Sequence, residues 1–125
     1  MKLKLTLCLI FFGACSDSNG GEEDEKVVLP EIVSYQMDIQ PLFDSSCINC
    51  HGNEGKLSLT NYENTIKGGK SGLAIIPNNG AESLLVKKLN GTASGQRMPP
   101  EPKNTWSDSK IKLVMKWIDQ GAENN

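Results

Sequence analysis

The 125-residue sequence lacks the patterns that mark several large classes of protein. Basic residues form no stripe interleaved with aromatics: 13 Lys and Arg stand against 15 Asp and Glu, and aromatics make up 6% of the chain. Nothing therefore supports nucleic-acid binding. No apolar run approaches the roughly 20 residues needed to cross a bilayer. Internal repeats and the alternating pattern of strands are also missing, so the sequence predicts one small all-α domain.

Histidine is scarcer still, because the chain contains only His51, which directly follows the pair Cys47-x-x-Cys50. This order is the attachment motif for c-type haem. Two thiols add to the vinyl groups of the porphyrin while the adjacent imidazole binds the iron. We therefore expect one covalent haem c, with bis-histidine ligation excluded. A multi-haem peroxidase is not expected, since it needs more than one such motif.

The other two cysteines, Cys8 and Cys15, lie near the N-terminus. Residues 1–14 have the layout of a bacterial lipoprotein signal peptide, with two lysines before a short apolar run. Cys15 would then become the lipidated first residue, and an ordinary cleaved signal peptide is the alternative. The sequence predicts an exported protein of the cell envelope, tethered to a bacterial membrane, the outer membrane by preference.

Residues 15–33 are expected to form an acidic linker and an extended lead-in that packs on the domain. The domain itself spans 34–125. From Val27 onward the chain carries 10 basic and 10 acidic residues, so the folded part is balanced in charge.

Four short helices separated by long Gly/Pro-rich loops are predicted. The first begins at Asp38 as its cap and ends at Ser46, and the second begins after a capping box at Thr60 and ends at 68–69. The third covers 84–89, with its two lysines facing water. The fourth begins at Ser107 and ends at Gly121, with apolar residues at helical spacing.

The sixth position of the iron needs a donor other than histidine. Met37 and Met115 lie in predicted helices, where core packing explains them. Met98 precedes two prolines that restrict the backbone and can hold the thioether in one direction. Met98 is therefore the candidate distal ligand, and a flexible core filler is the alternative reading. His/Met ligation favours electron transfer.

The stretch 35–124 resembles the small mono-haem cytochrome c domains of the planctomycete type. The resemblance is carried by residues 38–43, 47–52, 67–72, 76–77, 82–85, 97–100 and 117–122. It implies a cytochrome c fold in which the first and last helices cross beside the haem. It also implies that Cys47 and Cys50 hold the haem and that His51 and Met98 ligate its iron.

Around the iron, analogy with cytochromes c suggests that a proline carbonyl accepts a hydrogen bond from His51 Nδ1, and Pro77 is the candidate. A plain turn proline is the alternative. Trp117 and Trp106 are candidates for packing on the porphyrin, although Trp106 could equally cover the base of the last helix. Arg97 is a candidate contact for a haem propionate, or a solvated surface arginine.

The expected function is that of an electron carrier serving redox partner proteins of the cell envelope, with no catalytic turnover and no small-molecule substrate. A thioredoxin-like site is disfavoured because no βαβ pattern surrounds the two cysteines, and a zinc site lacks a fourth donor. Two alternatives stay open. One is a haem enzyme or gas sensor with a labile sixth ligand, and the other is a haem-containing accessory module.

Overall fold

The computed structural model describes residues 26–52, 56–103 and 105–125. The expected signal peptide, Cys15 and the acidic run that follows it lie outside the described residues. The described part contains a π-helical turn, Tyr35–Ile39, and four α-helices: α1 (Gln40–Ser46), α2 (Tyr62–Lys67), α3 (Leu84–Asn90) and α4 (Asp108–Asp119). It forms no β-strand, only an isolated bridge between Gly69 and Gly72. The predicted all-α fold is confirmed.

The first helical segment starts earlier than predicted. Ser34 caps it, because its hydroxyl accepts a hydrogen bond from the Met37 N–H, while Asp38 Oδ2 accepts from the Ser34 N–H at 2.8 Å. Asp38 was therefore wrongly assigned as the cap. It lies inside the helical segment, and its carboxylate accepts from the backbone N–H of the capping residue Ser34, as in a capping box. Pro41 lies in the first turn of α1, where a backbone N–H would have no acceptor within the helix, so its absence is tolerated.

The two middle helices follow their sequence signals closely. α2 is capped by Asn61, whose side chain accepts from the Asn64 N–H, one residue later than the predicted Thr60. α3 ends at Gly91, which adopts the left-handed conformation at φ +80. Such a conformation suits glycine because it has no Cβ to clash with the backbone.

α4 contributes four of the sixteen buried hydrophobic residues of the described core. Its residues Ile111, Val114, Trp117 and Ile118 are buried and recur at helical spacing. The helix contacts α3 and the Tyr35–Ile39 turn, and the Tyr35 and Trp117 rings lie 5.1 Å apart between their centroids. The first and last helical segments therefore pack together.

The extended lead-in, residues 27–33, packs on α4 only through its own second half. Lys116 Nζ donates to the Pro30 carbonyl at 2.7 Å, and the Val33 N–H donates to Gln120 Oε1 at 2.9 Å. Val33 is buried, whereas Val27 and Val28 are exposed, so packing along the whole lead-in was wrongly predicted. Within the residues that the structure describes, none of the helices combines the length and apolar composition that a membrane crossing requires.

Candidate functional site

One cavity of about 400 Å³ gathers the predicted haem residues. Cys47, Cys50 and His51 line it together with Met98, and most of the remaining wall is apolar. The apolar lining residues are Leu57, Leu59, Ala74, Leu84, Leu85, Leu89, Pro99 and Pro100. The volume falls within the roughly 300–1,000 Å³ of small-molecule sites. Two thiols for covalent attachment and an imidazole for the iron, on an apolar wall, are what haem c requires, and a thioether is one of the axial donors found in cytochromes c, so the residues fit this group.

The attachment motif is folded into a tight turn at the end of α1. The Cys47 N–H donates to the Phe43 carbonyl at 2.8 Å, and the N–H groups of Cys50 and His51 both donate to the Cys47 carbonyl, at 3.1 and 2.9 Å. This turn lets the two thiols and the imidazole line one cavity. Both thiols are free, and Cys50 is exposed while Cys47 is half-buried.

The Cys47 thiol lies in surroundings that disfavour its charged form. Burial raises the pKa of the Cys47 thiol to about 11, an effect that Lys103 opposes and Cys50 reinforces. Without an attached haem, the Cys47 thiol is therefore uncharged at neutral pH. An uncharged thiol is compatible with the apolar wall, since burial of a charge in such surroundings is costly.

His51 is oriented by a backbone carbonyl other than the predicted one. Its Nδ1 lies 3.3 Å from the Leu57 carbonyl oxygen, and the Leu59 N–H donates to the His51 carbonyl at 2.9 Å. Pro77 was therefore wrongly assigned as the acceptor, and it lies exposed in a loop outside the cavity lining. With Nδ1–H donating to Leu57, His51 Nε2 keeps its lone pair for a metal.

A glycine allows Leu57 to lie where it does. A Cβ atom built on Gly69 would lie 2.5 Å from the Leu57 backbone nitrogen, which is closer than real Cβ atoms come to other atoms. The turn after α2 therefore packs directly against the residue that holds His51. No sequence signal could reveal this contact, because it joins two backbones.

Among the three described methionines, Met98 lines the cavity and is half-buried. Met37 is 78% exposed, so its predicted place in the core is wrong. Met115 packs against the core beside Gly80, away from the cavity. The side-chain positions therefore favour the methionine that the proline-rich loop singled out.

The tryptophans and Arg97 do not line the cavity. Trp117 is buried in the core, and its Nε1 donates to the Glu123 carbonyl at 2.9 Å. Trp106 is also buried, and its Nε1 has no hydrogen-bond partner among the described residues. Arg97 Nε donates to the Leu89 carbonyl at 2.8 Å. Direct packing of Trp117 on a porphyrin was therefore wrongly predicted, and Arg97 has a structural partner.

Three lysines missed by the sequence reasoning line the same cavity: Lys56, Lys88 and Lys103. Lys56 and Lys103 are exposed and bring positive charge to the rim, where they could pair with the carboxylates of a bound porphyrin. Lys88, predicted to face water, is half-buried and donates to the Ser94 carbonyl at 2.6 Å. Solvation is the ordinary role of lysine, so composition alone offered no signal.

Comparison with known proteins agrees with this site. Residues 47–102 match the family described as Planctomycete cytochrome C. Neither the curated proteins nor the solved structures contain a significant match to the chain. The matched range begins at Cys47 and includes Met98, while the motifs at 38–43 and 117–122 lie outside it. The match supports a cytochrome c domain of the planctomycete type over these residues, and that family implies covalently bound haem c.

Proposed function

We propose that the protein carries single electrons through one covalent haem c that has His51 and Met98 as axial ligands. The observation that supports this proposal is the placement of Met98, which lines the same cavity as Cys47, Cys50 and His51. An iron with two protein ligands has no open position for a substrate. Electron transfer without turnover is therefore the activity that suits this site.

The bound cofactor would supply reversible one-electron chemistry, and the chain would supply its environment. Cys47 and Cys50 fix the porphyrin covalently. The Leu57 carbonyl orients the His51 ring and would keep Nε2 available for the iron. The apolar wall excludes water, which limits the reorganisation that accompanies each change of charge.

A second candidate is a gas-binding or accessory module in which the sixth ligand is labile. The observation that favours it is the position of Met98 in a half-buried loop instead of a helix. A loop can move away from an iron more readily than a helix can.

Titration of the purified holoprotein separates the two candidates. We expect a single reversible one-electron transition, a weak red absorption band of methionine-ligated ferric iron, and slow, incomplete binding of carbon monoxide to the reduced form. Rapid and complete binding of carbon monoxide at neutral pH would contradict the electron-carrier proposal and support the labile-ligand module.

We also propose that the protein is exported and anchored to a membrane of the cell envelope through lipid on Cys15. There it would exchange electrons with redox partner proteins. The motif before Cys15 supports the anchor. We expect Cys15→Ser to move the haem-loaded protein from the membrane fraction to the soluble fraction of its host, because several acyl chains hold a protein far better than none. Equal membrane retention of both proteins would contradict the anchor.

A further inference from the structure

The loop that carries Met98 is hydrogen-bonded back onto the helix that precedes it. The last carbonyls of any α-helix lack partners within the helix. At the end of α3, the N–H groups of Thr92 and Ala93 donate to the Lys87 carbonyl at 2.9 and 3.1 Å, and the Met98 N–H donates to the Lys88 carbonyl at 2.9 Å. The loop therefore completes the C-terminus of α3.

Two cationic side chains add contacts between the same helix and the same loop. From the helix, Lys88 Nζ donates to the Ser94 carbonyl at 2.6 Å, with the Gln96 carbonyl at 3.5 Å. From the loop, Arg97 Nε donates to the Leu89 carbonyl at 2.8 Å. Hydrogen bonds from charged donors are stronger than neutral ones, so these contacts restrain the loop at Ser94 and at Arg97.

Glycines make room for both cationic side chains. Gly91 and Gly95 adopt left-handed conformations, at φ +80 and +78. A Cβ atom on Gly91 would lie 3.1 Å from Arg97 Cδ, and one on Gly95 would lie 3.3 Å from Lys88 Nζ. The loop backbone thus approaches both side chains at the positions where it turns.

We infer that Lys88 and Arg97 form a clamp that positions the Met98 thioether for the iron. This inference rests on the proposed His/Met ligation. A thioether is a neutral ligand, so its hold on a metal competes with the conformational freedom of the loop that carries it. Lys88 is central because its carbonyl accepts from the Met98 N–H while its ammonium donates to the Ser94 carbonyl, four residues earlier in the loop. Both are positioning residues.

The test compares holoproteins with equal covalent haem content. Lys88→Leu and Arg97→Leu remove the charged donors without adding a sulfur or nitrogen ligand. Lys87→Leu is the matched control, because Lys87 lies on the same helix and pairs with Glu82. Lys88→Arg retains a donor and serves as the rescue. The readouts are the red band of the ferric protein and the rate of carbon monoxide binding to the ferrous protein.

We expect Lys88→Leu and Arg97→Leu each to weaken the red band and to accelerate carbon monoxide binding on the order of tenfold, the effect of losing one charged hydrogen bond. Lys87→Leu and Lys88→Arg should resemble the wild type. If Lys88→Leu yields no holoprotein, Arg97→Leu decides in the same way. A wild-type band that persists in the clamp variants, even at a lower thermal midpoint, overturns the clamp alone. A wild type that lacks the band overturns both the clamp and the proposed ligation.

Discussion

Replacing both Cys47 and Cys50 with serine is expected to yield a chain without covalent haem and without a cooperative thermal transition. The cofactor would fill the cavity of about 400 Å³, whose wall is largely apolar. Without the haem, the leucines of this wall would lose their packing partner, and each aliphatic side chain left exposed instead of buried costs about 1.5–3 kcal/mol. The whole stability of a small domain is about 5–15 kcal/mol. Loss of the cofactor therefore threatens the fold itself.

Intact mass measures haem attachment, and near-ultraviolet circular dichroism during heating measures tertiary structure. Ser45→Ala is a suitable control, since Ser45 is exposed at the end of α1. It should retain the haem and the wild-type midpoint. A double-serine variant that lacks haem but unfolds cooperatively at the wild-type temperature would show that the core is self-sufficient.

Met98→Ala is expected to remove the weak red band while the covalent haem remains. Loss of the thioether also opens the sixth position, so the reduced protein should bind carbon monoxide fully. Methionine raises the reduction potential relative to more basic axial ligands. We expect the potential to fall by on the order of 0.1–0.2 V, a modest part of the about 0.8 V that axial ligation spans.

The chain offers two matched methionine controls. Met37→Ala removes a thioether that is 78% exposed, and Met115→Ala removes one on α4 that packs against the core. Both variants should keep the red band, although Met115→Ala is expected to lower the thermal midpoint because Met115 lies within α4 and packs against the core. Survival of the band in Met98→Ala would refute the assignment of the distal ligand, and loss of the band in Met37→Ala would transfer it to that residue.

Local signals in the sequence were enough for the helices. Each signal lies in or next to the helix that it predicts. Gly91 marks the end of α3, and the apolar spacing of Ile111, Val114 and Ile118 marks α4; the structure confirms both helices. The caps were less certain. Ser34 and Asn61 replaced the predicted Asp38 and Thr60, because several neighbouring polar side chains compete for the same orphan N–H groups.

The sequence by itself determined the cofactor, since Cys47, Cys50 and His51 lie within five consecutive residues and their chemistry depends on their order in the chain. It also singled out Met98, through the two prolines that follow it. Only the tertiary structure decided that the Leu57 carbonyl orients His51, that Met37 is exposed, and that Lys88 and Arg97 hold the Met98 loop. The physical reason is that backbone carbonyls are identical at every residue. Which of them accepts a hydrogen bond depends on how distant segments pack, and no side-chain pattern records it.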